Sequence, residues 1–275
     1  MRTAVVGHVE WAEFARVEHV PAAGEIVHAS EAWAEPGGAG GVAVVQLAKL
    51  AGDATLFTAL GDDELGHRAK FELEELGVRV EATFRPVPQR RALTFVDANG
   101  ERTITTVGER LGPSGAEPLA WEDLGHVDAV YFTAGDESAL RMARTAKTLV
   151  ATSRVLEDLA RAGIPLDAVI GSAHDPAEAY REGSLDPPPR LVVLTSGADG
   201  GTFQTSGGRS GRFAAVPPPG PVSDAYGCGD SFAAGLTFGI GSGLEVGEAL
   251  NLAARCGAAC LTGRGPFQGQ LRLVG

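Results

Sequence analysis

Cysteines, basic residues and long apolar runs are all scarce in this chain of 275 residues. The three cysteines, Cys228, Cys256 and Cys260, are too few and too clustered for the disulfide framework of a small secreted protein. No apolar run reaches the ~20 residues that cross a bilayer, and the short run at the N-terminus does not fit a signal peptide. These absences predict a cytoplasmic protein with no membrane partner.

Basic residues are outnumbered, because 23 Lys and Arg face 35 Asp and Glu, for a formal net charge of −12. Such a surface repels nucleic acid, so no nucleic-acid partner is expected. An anionic substrate would need a local positive site, since the overall field does not attract it. The length suits one large α/β domain with an appendage, and we predict a single domain over residues 1–275.

Strand-like and helix-like segments alternate over most of the chain. The runs TAVVGHV, ATLFTALG and DAVYFTAG are typical of buried strands, whereas VAVVQLAKLA, closed by Gly52, is typical of a helix. ESALRMARTAKTLVA (137–151) and VGEALNLAARCGAACLTG (246–263) are also interpreted as helices. This rhythm predicts a mostly parallel sheet with helices on both faces, a three-layer α/β/α core.

Two polar segments rich in β-formers, about 9–35 and 84–108, fall outside this rhythm. The second contains Asn99-Gly100 between two alternating runs, which indicates a hairpin. We expect the two segments to form a small sheet outside the main one.

The stretch DAYGCGDSFAAG (224–235) carries the strongest chemical signal. Gly227, Cys228 and Gly229 would offer backbone N–H groups at the start of a helix, where an anion binds readily. Asp230 would then lie beside the anion, where a carboxylate can take a proton from an attacking hydroxyl. By itself, the stretch also fits a glycine turn with Asp230 as a capping residue.

This stretch resembles the C-terminal signature of the ribokinase-like (PfkB) carbohydrate kinases. GGAGGVAVVQLAKLAG resembles the N-terminal signature of that family, ALGDDELGHRAKFELEELGV resembles its G-x-D-x-x-G helix start, and VVLTSGADGG resembles its nucleotide-binding strand and turn. Because four matches occur in order between Gly7 and Gly265, the chain is identified as a member of the family.

The resemblance implies ATP-dependent, Mg²⁺-assisted phosphorylation of a hydroxymethyl group on a sugar or nucleoside, under a β-sheet lid that often forms a homodimer. It implies Asp230 as the catalytic base, with the amides of Gly227, Cys228 and Gly229 as the anion hole. The residues expected beside the nucleotide or a monovalent cation such as K⁺ are Thr195, Gly197, Gly200, Asp224, Tyr226, Asn251, Ala254 and Gly257. Those expected beside the acceptor are Glu10, Gly37, Gly38, Val42 and Arg91, with Arg90 as the alternative to Arg91.

Three positions depart from the family pattern. Val42 stands where the family usually has a sugar-binding Asn, which predicts an acceptor with fewer hydroxyls on that side. The family commonly has a sugar-binding acid after the first strand, and the candidates for that position here are Glu10, Glu13 and His8. The Mg²⁺-associated N-x-x-E motif is replaced by Ser172 and Asp175, and Asp175 either orients a metal-bound water or caps a helix.

Two function classes remain open at this stage. The first is an active small-molecule kinase, which the retained Asp230 favours. The second is a catalytically idle family member that binds a metabolite or partner as a regulator. A dinucleotide-dependent oxidoreductase is disfavoured, because a β-rich segment separates the first strand from GGAGG and the G-x-G-x-x-G spacing is missing.

Overall fold

The computed structural model of the chain describes residues 1–273. Its strands are β1 (Thr3–Val6), β2 (Glu10–Arg16), β3 (Glu31–Gly37), β4 (Ala54–Gly61), β5 (Arg79–Arg85), β6 (Arg91–Val96), β7 (Arg102–Val107), β8 (Ala129–Phe132), β9 (Thr148–Thr152), β10 (Ala168–Ser172), β11 (Leu191–Thr195), β12 (Gly201–Thr205) and β13 (Ser210–Phe213). Its α-helices are α1 (Gly38–Ala51), α2 (Glu64–Glu75), α3 (Glu137–Ala143), α4 (Leu156–Ala162), α5 (Cys228–Gly241) and α6 (Val246–Cys260).

The main sheet has nine strands in the order β13-β12-β11-β10-β9-β8-β1-β4-β5. Neighbouring strands from β11 to β5 pair in parallel, and β12 and β13 add an antiparallel edge. All four residues of β1 are buried, which explains why its sequence is continuously apolar. Val5 packs in the core that includes α1, α5 and α6, whereas Ala4 and Val6 pack in the core that includes α3 and α4. The predicted three-layer arrangement is confirmed.

The predicted end of α1 is also confirmed, because Gly52 adopts the left-handed conformation with φ 78°. The C-terminal segment closes against the same helix. The Gln46 side-chain amide donates to the carbonyl of Leu271 at 2.7 Å, and that of Gln270 donates to the carbonyl of Val42 at 3.0 Å. Residues 270 and 271 therefore hold the C-terminal segment against α1.

The prediction of one helix over 137–151 was wrong. α3 ends at Ala143, and residues Thr148–Thr152 form β9 between β8 and β10. The run TLVAT contains β-branched and apolar residues, four of them buried, and a strand buried on both faces shows no polar alternation that would separate it from a helix. Among residues 1–273, none of the helices is both long and apolar enough to cross a bilayer.

The two β-rich segments form a separate four-stranded sheet in the order β3-β2-β6-β7, hereafter the lid. β2 pairs antiparallel with β3 and parallel with β6, and β6 and β7 form the predicted hairpin. The segment predicted from 84 includes the end of β5, which belongs to the main sheet. β7 is one of the two edge strands of this sheet, and all six of its residues are exposed.

Candidate active site

Polar side chains gather at the carboxyl ends of adjacent strands in the main sheet. His8 follows β1, Thr133 follows β8 and Arg154 follows β9. Asp230 lies in the first turn of α5, where the charges of Glu178 and Arg154 both act on its carboxyl group. Ligands of open α/β sheets bind at this edge, so these residues mark the candidate active site.

The start of α5 has the glycine geometry that an anion hole requires. Gly227 has φ 80°, and a Cβ there would lie 2.9 Å from Val42 Cγ1 and 3.0 Å from the Cβ of Pro266. A side chain at this position is therefore excluded by both conformation and space. Gly229 is different, because it is helical and exposed and a Cβ on it would meet no atom within 4 Å. Its lack of a side chain leaves open space above the helix N-terminus.

Asp230 has the protonation behaviour of a base that works near neutral pH. Burial and, to a smaller extent, the negative charge of Glu178 raise the pKa of its carboxyl group to about 6, while Arg102 and Arg154 act in the opposite direction. At pH 7 the carboxylate form therefore dominates but stays basic enough to accept a proton.

Among the charged residues, Glu178 has the largest effect on the pKa of Asp230. The sequence analysis did not identify Glu178. Oε2 of Glu178 accepts a hydrogen bond from the N–H of Ser172 at 2.7 Å. Asp175, the residue expected to orient metal-bound water, instead accepts from the N–H of Ala177 at 2.9 Å and pairs with Arg154 at 2.5 Å. Asp175 thus caps a 3₁₀ turn, as the alternative interpretation held. Glu178 lies three residues after Asp175, one 3₁₀ turn later. This spacing could have identified Glu178 as a second candidate from the sequence.

A mixed cluster of charges surrounds Glu10, one of the residues expected beside the acceptor. Glu10 is buried, and its Oε1 lies 2.6 Å from Nε of Arg90 and 3.8 Å from Nε2 of His8. A Cβ on Gly38, which has φ 76°, would lie 3.0 Å from the backbone N of Glu10. The structure therefore brings together Glu10, His8 and the glycine turn of the first signature, as the sequence analysis expected.

Arg91 does not join this cluster. Its guanidinium forms two hydrogen bonds with the Glu13 carboxylate, at 2.6 and 2.9 Å, across the lid strands β2 and β6. Successive side chains on a strand point to opposite faces, so Arg90 reaches Glu10 while Arg91 does not. Of the two alternatives, the structure favours Arg90.

Val42 and Tyr226 were expected to contact ligands, and both are enclosed by protein. Val42 is 0% exposed and packs beneath Gly227. Tyr226 is 4% exposed, and its hydroxyl oxygen accepts from the N–H of Gly38 at 3.0 Å. A Cβ on Gly37 would collide with the same hydroxyl group. Tyr226 therefore connects the two signature turns, and Val42 packs beneath the turn at Gly227.

The residues expected on the nucleotide side follow the end of β11 and line the last two helices. Thr195 ends β11, Gly197 is exposed with φ 57°, and Gly200 has φ 80° where a Cβ would strike the carbonyl of Phe213. On α6, Ala254 is buried and Gly257 lies beside the carbonyl of Cys228. Asn251 is exposed and lines a surface cavity between α5 and α6.

Asp224, which was expected beside the nucleotide or a monovalent cation, is enclosed by protein. It is 0% exposed, and its two oxygens accept from the N–H groups of Tyr226 at 2.8 Å and Gly265 at 3.1 Å. Burial raises the pKa of this carboxyl group. Asp224 therefore joins two segments that lie 41 positions apart in the sequence.

Cys228 has the character of a packing residue at its position in the anion-hole turn. A hydrogen bond with the Cys260 thiol, together with burial, raises the pKa of the Cys228 thiol. A thiol that keeps its proton is a weak nucleophile. The Cys228 thiol is therefore a poor candidate for a nucleophile.

The donor set suits a metal that is shared with a phosphate ligand. Within the described range 1–273, no three His, Cys, Asp or Glu side chains lie close enough to hold a metal ion by themselves. Mg²⁺ typically uses one or two carboxylates together with water and substrate phosphates. Glu178 beside Asp230 fits such a partial site, because two acidic groups act on each other there.

Comparison with known proteins agrees with this geometry. A family model described as "pfkB family carbohydrate kinase" matches residues 2–182 and 166–270. The ATP-dependent ribose-1-phosphate kinase of Halopiger xanaduensis is 30% identical over 278 residues, which cover 94% of this chain and 91% of that protein.

Solved structures with the same fold include two ribokinases. That of Thermotoga maritima has a TM-score of 0.77 at 19% identity, over 99% of this chain and 96% of the other. That of Cryptococcus neoformans var. grubii in complex with ADP has a TM-score of 0.77 at 21% identity, over 98% and 97% of the two chains.

Proposed function

The chain belongs to the PfkB family of carbohydrate kinases, and from that premise we propose that it transfers the γ-phosphoryl group of ATP to a hydroxyl group of a small sugar or nucleoside-like acceptor. The observation that carries this proposal is Asp230, a half-buried carboxyl group with a pKa of about 6, held directly behind the Gly227 turn. The name of the Halopiger relative adds ribose 1-phosphate to the acceptors worth testing.

In the proposed mechanism, Asp230 accepts the proton of the acceptor hydroxyl as its oxygen attacks the γ-phosphorus. The bond between that phosphorus and the bridging oxygen of ADP breaks, and ADP leaves. The N–H groups of Gly227, Cys228 and Gly229 stabilise the charge on the transferred group, and such fixed donors are the largest contributors in many enzymes. Glu178 would help to hold Mg²⁺ together with the nucleotide phosphates, and the metal would supply positive charge that offsets the charge of the transferred group.

The nucleotide is proposed to lie between the β11–β12 turn and α6, with its phosphates directed toward the start of α5. Thr195, Gly197 and Gly200 would contact the phosphates or ribose, and Gly257 and the exposed Asn251 would flank the base. K⁺ is proposed near Asp224. The lid would cover the acceptor and exclude water from the transfer step.

We further propose a homodimer formed through the lid. β7 is an exposed edge strand that carries Ile104, 40% exposed, and Val107, 45% exposed. An unpaired edge with apolar side chains invites pairing with another strand. Light scattering after size exclusion would give twice the 28.3 kDa chain mass if this holds, and a single-chain mass at all concentrations would contradict it.

The direct test measures ADP formation with a panel of sugars, sugar phosphates and nucleosides. At least one acceptor should be phosphorylated, and Asp230→Asn should lower kcat by roughly 10²–10⁴-fold, the usual contribution of a positioned general base. Equal activity of the variant would refute the assigned role. Ligand binding without turnover of any acceptor would instead favour the idle, regulatory alternative.

A further inference from the structure

Arg110 is a half-buried cation without a carboxylate partner. Its Nε donates to Nδ1 of His8 at 3.2 Å, and one Nη2–H donates to the carbonyl of Thr133 at 2.7 Å. A guanidinium has five N–H donors, so three remain without an acceptor among residues 1–273. The pKa of Arg110 is lowered by burial and by the charges of Arg154 and Arg90, which means that the cation is poorly compensated by the protein.

The neighbours of Arg110 cannot supply the missing negative charge. Arg90 is held by Glu10 at 2.6 Å, and Arg154 is held by Asp175 and Glu178, both at 2.5 Å. The three carboxylates in these ion pairs, Glu10, Asp175 and Glu178, therefore bind other arginines and not Arg110.

His8 adds no positive charge of its own beside Arg110. Burial, followed by the charges of Arg110, Arg90 and Arg154, lowers the pKa of His8 well below its ordinary value. The ring is therefore neutral at pH 7, and its Nδ1 accepts the hydrogen bond from Arg110. This bond and the one to Thr133 fix the orientation of the guanidinium fork before any ligand arrives.

Arg110 lies on the same side of the sheet as the proposed base. Tyr131 is buried in β8, and burial raises its pKa, while Asp230 raises it further and Arg110 lowers it. Both charges therefore act on one side chain. Because the hydrogen bonds of Arg110 go to residues that follow β1 and β8, the guanidinium occupies the same carboxyl edge as Asp230.

We propose that Arg110 is the centre of an anion subsite for a phosphate group already carried by the acceptor, so that the chain phosphorylates a sugar phosphate in preference to a neutral sugar. The proposal rests on the kinase function given above and specifies its substrate class. The planar fork and its three uncommitted donors match phosphate oxygens. A fixed local cation is also what an anionic substrate needs on a protein of net charge −12.

The test compares matched acceptors, ribose with ribose 1-phosphate and fructose with fructose 6-phosphate. In the unmodified protein kcat/KM should be at least about tenfold higher for one phosphorylated sugar than for its neutral partner. Arg110→Gln should lower that ratio by about 10–100-fold, the usual value of hydrogen bonds to a charged group. Arg110→Lys, which keeps the charge but not the fork, should give an intermediate ratio.

Arg79→Gln is the matched control, since Arg79 is an exposed arginine of the main sheet that pairs with Asp123 at 3.0 Å. Its acceptor ratio should equal that of the unmodified protein. A higher kcat/KM for the neutral sugars, or an unchanged ratio in Arg110→Gln, would overturn the subsite.

A second measurement does not depend on any variant folding. The phosphorylated sugar should raise the melting temperature of the unmodified protein more than its neutral partner or inorganic phosphate does at equal concentration. An equal shift with inorganic phosphate would mean that the protein does not recognise the sugar attached to the phosphate, and it would overturn the proposal. If the phosphorylated sugar binds selectively but nothing is phosphorylated, the subsite stands and the kinase function fails.

Discussion

Replacing Asp230 with Asn should make the protein more stable while removing its proposed base. The pKa of this carboxyl group rises from 3.8 to about 6 on folding, chiefly because of burial. The folded state therefore binds a proton more tightly than the unfolded state, and wild-type stability falls as the pH rises between these two values. A shift of roughly 2 units at 1.36 kcal/mol each costs about 3 kcal/mol at pH 7.

Asn resembles the protonated acid in shape and does not titrate, so the variant avoids this cost. At this chain length 1 kcal/mol corresponds to about 2 °C, which gives a melting temperature roughly 6 °C higher at pH 7. The difference should be complete above pH 6 and should vanish near pH 4, where both proteins are uncharged at this site. Thermal unfolding followed by circular dichroism between pH 4 and 8 measures it.

Asp136→Asn provides a control of opposite sign. Burial would raise the pKa of Asp136, but hydrogen bonds from Ser114 and from the N–H of Ala139 hold it at about 2. This variant should lose stability at pH 7, and the loss should stay nearly constant down to about pH 4 and shrink only as the pH falls from there toward 2, so unfolding is also followed below pH 4. An Asp230→Asn protein that is no more stable than wild type at pH 7, or whose advantage is the same at pH 4, would refute the desolvation argument.

The remaining predictions concern the anion hole and its surroundings. Gly227→Ala should lower both stability and turnover, because position 227 has φ 80° and a Cβ there would contact Val42 and Pro266. Gly229→Ala should keep the melting temperature, because its Cβ meets no protein atom, and lower turnover, because that Cβ would occupy space needed by the ligand. Unfolding curves and ADP assays distinguish the two variants. Glu178→Gln should shift the acid limb of kcat/KM to lower pH, because the negative charge that raises the pKa of Asp230 is gone, and should raise the Mg²⁺ concentration for half-maximal rate. Val42→Asn should cost about 1–3 kcal/mol for a buried, unpaired amide and leave the acceptor profile unchanged; a gain in hydroxyl-rich acceptors with intact stability would show that position 42 contacts substrate.

Local pattern was sufficient to predict the turn and helix start at α5, because the glycines and Asp230 are adjacent in sequence. Tyr226 and Val42 stand in the same motifs, yet their burial depends on how the first and last signatures pack against each other. That packing brings together residues nearly two hundred positions apart, such as Gly38 and Tyr226, and no local pattern encodes it.

Arg154 escaped detection because of a specific misassignment. With 137–151 interpreted as a helix, residue 154 had no reason to lie at the active edge. Once Thr148–Thr152 is known to be a parallel strand, Arg154 follows its carboxyl end, which is where ligands bind in such sheets. Arg110 was harder still to predict. It lies in the loop after the lid hairpin, and its proposed role depends on the lack of a carboxylate partner among the described residues, which the sequence does not reveal.

The closure of the C-terminal segment on α1 has a consequence for synthesis on the ribosome. α1 emerges early, but Val42, Val44 and Val45, each 0% exposed in the folded chain, can be buried fully only after α5, α6 and the residues that reach Gln46 have been made. Until then this helix presents an apolar face of the kind that chaperones retain and that drives aggregation. Stalled or truncated chains should therefore collect as insoluble material, with neither the anion hole nor its floor assembled.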